Sequence, residues 1–144
     1  MMNGDFYFAL AKALMDVMEN GVLVCDSNGV IQMANTAFEK LSGYQFNELT
    51  GNEVEMLVPN SMQHYHQTER QGYQRRPVPR TMGHRAVVLM QKKNGGQQPV
   101  SITLMPVPQL DGTRDWVVAN VKPRSWSELE SSRSAASAIT REER

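Results

Sequence analysis

The string Asp26-Ser27-Asn28-Gly29 constrains this chain more than any other feature. Asn-Gly tolerates positive φ at both positions and is the strongest short signal for a tight hairpin. It stands between two short apolar runs, Val22-Leu23-Val24-Cys25 and Val30-Ile31-Gln32-Met33-Ala34. Residues 22–34 are therefore expected to pair as an antiparallel β-hairpin, the seed of an antiparallel sheet.

Local signals place the other elements around that hairpin. Phe6, Leu10, Ala13, Leu14, Val17 and Met18 recur at helical spacing and predict a helix that Asn20-Gly21 stops. Its stripe packs either on the sheet or on a second copy. Asn35 to Leu41 predicts a short helix ended by Gly43, residues 47–51 one more turn, and residues 53–58 a helical piece closed by Pro59. A longer helix is expected from Asn60 or Ser61, as N-cap, to about Arg75. Residues 85–90, 99–105 and 116–121 read as three strands separated by Asn94-Gly95-Gly96 and Asp111-Gly112. After Pro123, Ser125-x-x-Glu128 is a capping-box pattern. The tail from there is either a helix or a disordered linker. Helix, hairpin, short helices and three strands fit an α+β fold. The expected form is a five-stranded antiparallel sheet with helices gathered on one face, and a pocket between the layers.

Composition narrows the class. The chain has 144 residues, one domain's worth, and 40% of them are hydrophobic, enough for one core. No apolar run reaches the ~20 residues of a membrane helix, and Asp5 and Lys12 interrupt any signal-peptide pattern, so a cytoplasmic protein without membrane contact is expected. The single cysteine, Cys25, excludes an internal disulfide. Net charge is zero, but residues 64–93 hold seven Lys or Arg against Glu69 alone, with all three histidines. Such a block either gathers charge for an anionic ligand or acidic partner, or is a solvated helix face. Glu53 and Glu55, on opposite sides of their helical piece, read as solvated. No phosphate loop, nucleophile–base pair or carboxylate pair suggests an enzyme. No recognition helix or interleaved aromatic pattern suggests a nucleic-acid partner.

Four strings in order then resemble the PAS family. They are Gly21-Val22-Leu23-Val24 with its Asp26–Gly29 turn, Met33 to Tyr44 with its Asn-x-Ala and Gly-Tyr, Asn47 to Gly51, and Lys93-Asn94-Gly95-Gly96 before Pro99-Val100. The resemblance covers roughly residues 15–122. It implies an N-terminal flanking helix over 1–20, a PAS domain over 21–123 and a C-terminal helix or linker over 124–144. It also implies a sensor that works with an output or signalling protein and pairs as a homodimer. No catalytic region follows residue 122, so either that output lies on another polypeptide or the chain is a sensor fragment.

A sharper resemblance is to haem-binding, oxygen-sensing PAS domains. These carry Leu-x-Pro and, seven residues after the proline, a histidine that ligates haem iron; Leu57-Val58-Pro59 and His66 stand at that spacing. The resemblance implies haem b with His66 on the iron and His84 or Arg85 on the distal side of Met82-Gly83. It also implies that Arg80, with Arg75 and Arg76, pairs with the propionates. Gln63 replaces the Arg usual in that motif, and the distal stretch is one residue short. Met56, Met62, Met82, Met90 and Met105 supply soft packing or ordinary core. A flavin adduct is less favoured, since residues 51–57 hold no cysteine, and Cys25 reads as a core residue.

Overall fold

The computed structural model describes residues 4–82 and 87–142. Helix α1 spans Gly4–Asp16, strand β1 Gly21–Cys25 and strand β2 Ile31–Ala34. Helix α2 (Thr36–Ser42) and helix α3 (Phe46–Leu49) follow, then 3-10 turns at Val54–Leu57 and Asn60–Met62, and helix α4 (Gln63–Arg75). Strands β3 (Arg80–Met82), β4 (Val88–Gln91), β5 (Gln97–Val107) and β6 (Trp116–Pro123) lead to helix α5 (Trp126–Glu142).

The predicted hairpin forms: β1 and β2 pair antiparallel from Leu23↔Ala34 to Cys25↔Ile31, with a bulge after Val24. β6 pairs with both β1 and β5, giving the order β2-β1-β6-β5-β3, and β4 shares the outer edge of β5 with β3. The sheet is thus antiparallel and five positions wide. The last edge position starts earlier than the sequence suggests. Residues 80–82 pair with 102–104 of β5 although Pro77 and Pro79 precede them. Proline disrupts only the bond its own missing N–H would make.

Strand alternation sorts the core into two faces. Leu23, Cys25, Ile31, Ala34, Val100 and Val121 meet Phe38 of α2, Leu49 of α3 and Leu57 of the first 3-10 turn. Phe38, Ile31 and Leu49 are fully buried, each worth about 1.5–3 kcal/mol of apolar transfer. On the opposite face Val22, Val24 and Met33 pack under Met15 and Ala11 of α1. The stripe Phe6, Leu10, Leu14 and Val17 is not the face that docks; those side chains are 44% to 80% exposed. Cys25 is buried, as expected, and burial pushes its thiol up to about 12.

Asn35 joins these parts. Its Oδ1 accepts from Val22 N (2.8 Å) and Phe38 N (2.9 Å), while its Nδ2 donates to Met15 O (2.7 Å) and Asn20 O (3.0 Å). One side chain thereby caps α2, fixes β1 and holds the end of α1. At the other terminus, the tail is helical. Ser125 and Glu128 close the capping box, Leu129 is buried, and Ser132 Oγ accepts from Val87 N at 2.6 Å.

Candidate functional site

The site lies where α4 crosses the hairpin turn. Residues 51–54 zip onto β2 and its turn through Ile31 N to Asn52 O, Gly51 N to Ile31 O and Val54 N to Gly29 O. That zipper sets the following 3-10 turn beneath α4 and buries Glu55, which is 7% exposed. The expectation of a solvated Glu55 is thereby corrected: a 3-10 turn packed against the hairpin has one inner side, and Glu55 is on it. Glu53 remains exposed.

Helix α4 contains no aliphatic residue. Among the described residues, neither apolar cluster includes one of its side chains. Its inward stripe is His66, Arg70 and Gln74 at i, i+4 and i+8. Arg70 Nη2 lies 2.6 Å from Glu55 Oε1, and Arg70 Nε lies 3.0 and 3.1 Å from the two carboxylate oxygens. Glu55 Oε2 also accepts from His66 Nδ1 at 2.9 Å. Arg70 Nη1 donates to Gln74 Oε1 at 3.0 Å, and Gln74 Nε2 donates to the Asp26 carbonyl at 3.0 Å. The helix is therefore clamped to the turn by a chain of polar links from His66 to Asp26. A guanidinium can only donate, so Glu55 is the acceptor toward Arg70, and the same carboxylate meets His66 Nδ1. Every buried side-chain nitrogen and oxygen among the described residues has a partner.

Of the residues singled out from sequence, His66 is in this network with its side chain 31% exposed. Arg80 and Met82 lie on β3, but their side chains lie outside the described residues, as do His84 and Arg85 entirely. His64 is exposed. Among the described residues, Met90 is in the core with Met56 packed against the same cluster, whereas Met62 and Met105 are 48% and 51% exposed. Arg75 and Arg76 face solvent, and Arg75 lines an open recess of about 310 Å³ with Gln74, Pro77, Arg114 and Asp115. Among the described residues no group of three His, Cys, Asp or Glu is placed to hold a metal ion. No helix among them is long and apolar enough to cross a membrane. Glu55, Arg70 and Gln74 escaped the sequence reading, although an all-polar helix with a stripe at i, i+4 and i+8 was the available signal.

Among the described residues, the α4 side chains beside His66 are polar. Held by Glu55, His66 has on Nε2 the lone pair a ligand needs. A porphyrin, however, needs an apolar wall beside that histidine, and α4 offers Arg70 and Gln74.

Residues 19–122 match the PAS domain family. No curated protein matches the chain. The solved structures that share its fold include three PAS and LOV proteins. The PAS domain of an HTR-like protein from Haloarcula marismortui is 20% identical, covers 83% of this chain and 93% of its own, and has TM-score 0.65. The LOV protein of Rhodobacter sphaeroides is 15% identical, with 83% and 68% covered and TM-score 0.68. A PAS domain from a two-component sensor histidine kinase is 14% identical, with 85% and 100% covered and TM-score 0.64. With its antiparallel sheet, its helices α2 and α3 over one face and this match across its centre, the chain belongs to the PAS-domain family.

Proposed function

We propose that this chain is a non-catalytic sensory module of signal transduction. A small ligand or cofactor binding between α4 and the sheet shifts the packing of α4. Helices α1 and α5 carry that change to a partner or output domain. The observation that carries this reading is the attachment of α4: polar links tie it to the hairpin, and it adds no side chain to either apolar cluster. Elements that move on binding come from the weakly packed part of a fold. Native mass spectrometry of protein from its host, with amide exchange over residues 63–75 before and after ligand removal, tests it. Expected is a bound small molecule whose removal changes the exchange rate in α4. Protein without any adduct, and with α4 as protected as β5, would count against a sensor.

The ligand in this reading is small and polar. Haem b on His66 is the competing version, supported by the Leu57-Val58-Pro59 to His66 spacing. A Soret band in haem-supplemented protein that vanishes in His66→Ala would restore it. Flavin absorption in the purified protein would do the same for flavin.

A second reading is a ligand-free homodimerisation module. Leu10 and Leu14 of α1 are 44% and 60% exposed, Val17 just after its end is 80% exposed, and the other side of the helix is anchored to the sheet. Light scattering on Leu10→Lys/Leu14→Lys should give half the wild-type mass. A dimer that persists, or a monomeric wild type, removes this interface.

A further inference from the structure

We propose that His66, Arg70 and Gln74 form a carboxylate-binding site that the chain's own Glu55 fills, so that Glu55 is an intramolecular ligand restraining α4. The proposal deepens the sensory reading above and rests on it.

The donors converge without any external molecule. The Arg70 side chain is 11% exposed, and its guanidinium rests on the Gly29 backbone, where an added Cβ would collide with it. A guanidinium cannot shed its charge, so an anion is required at this place. Glu55 supplies it, held by two nitrogens of Arg70 and by His66 Nδ1. Gln74 braces the guanidinium from the side through Arg70 Nη1, and its own amide is tied to Asp26 O. Fork-shaped donors meeting one carboxylate are the geometry by which proteins recognise carboxylates.

Glu55 acts from a segment fixed to the hairpin, not from α4. When another carboxylate takes its place on Arg70, the ionic tie through Glu55 between the donors and the hairpin segment is lost, and among the described residues the Gln74–Asp26 bond remains between α4 and the hairpin. An external carboxylate must outcompete a tethered one, whose effective concentration is in the ~mM range or above. The ligand is therefore a small carboxylate with at least one further anchoring group. A bare carboxylate binds only after Glu55 is removed.

The test is chemical rescue. Glu55→Ala should raise amide exchange over residues 63–75 by at least ~10-fold while leaving β5 unchanged. Sodium acetate should reverse this saturably, and sodium chloride at equal ionic strength should not. Glu55→Gln, whose side chain still fills the space, should be loosened but not rescued. If Glu55→Ala fails to fold, refolding in acetate against chloride gives the same answer: folding in acetate alone supports the site, and folding in neither overturns it. Unchanged exchange in Glu55→Ala, or equal effects of the two salts, also overturns it. Those results would leave the sensory reading standing, because that rests on a bound molecule from the host and not on acetate.

Discussion

The Arg70 guanidinium reaches Glu55 Oε1 at 2.6 Å while lying against Gly29, where an added Cβ would fall 2.4 Å from it. An ion pair between residues fifteen apart thus depends on a turn glycine far earlier in the chain. The pair ties together the hairpin, the 3-10 turn at 54–57 and α4.

Neutralising Glu55 should cost far more than a surface charge change. Glu55→Gln leaves the guanidinium buried without an anion, an expected loss of ~3 kcal/mol or more. The double variant Glu55→Leu/Arg70→Met should lose less than the sum of the single changes. Urea unfolding of the four proteins measures the coupling, and additive losses would mean that the two side chains act independently.

Gly29 and Gly51 both have positive φ, +77° and +86°, but only Gly29 has Arg70 against it. Alanine at either site carries the left-handed cost of ~1–2 kcal/mol. Gly29→Ala should add the disturbance of the Glu55–Arg70 pair and lower the melting temperature further than Gly51→Ala. Equal shifts would show that the guanidinium reseats freely.

Asn35→Asp keeps the acceptor that serves Val22 and Phe38 and loses the donor that serves Met15 and Asn20. It should place a carboxylate against two carbonyls at 0% exposure, costing ~2 kcal/mol or more. Thermal unfolding checks the loss. Amide exchange should rise first at the end of α1, because α2 keeps its cap.

Cys25 gives a pH prediction with a definite sign. Burial raises its thiol from 9.0 to about 12, so the folded chain keeps a proton that the unfolded chain releases. This contribution is fully present below pH 9 and is lost as pH rises through 9 to 12, by up to ~1.4 kcal/mol per pH unit. Urea midpoints across that range should fall more steeply for wild type than for Cys25→Ala. Iodoacetamide at pH 8 should label Cys25 only as fast as the protein opens.

Much of the architecture was legible because its signals are local. Asn28-Gly29 makes a hairpin wherever apolar runs flank it, and Asn35 caps α2 through Phe38 N, three residues on. The same strings carried the family resemblance, and the match over residues 19–122 agrees with it. The site was legible only at His66, through its distance from Pro59. Glu55 read as solvated because alternation along a helical piece gives it an outward side, whereas the 3-10 turn and the zipper at 51–54 turn it inward. β3 was missed because two prolines precede it, although neither lies within the 80–82 ladder.

By itself, then, the sequence determined most of the order of elements, the antiparallel sheet and the family, but not β3 or the helical tail, since turns, caps and periodicity act over a few residues. Only the tertiary structure decided which charges are buried and paired. Glu55, Arg70, Gln74 and Asp26 come from three separate stretches of chain, and no spacing rule links them. The physical reason is that a buried charge is stable only beside its counter-charge, and that neighbour is chosen by packing, not by position along the chain.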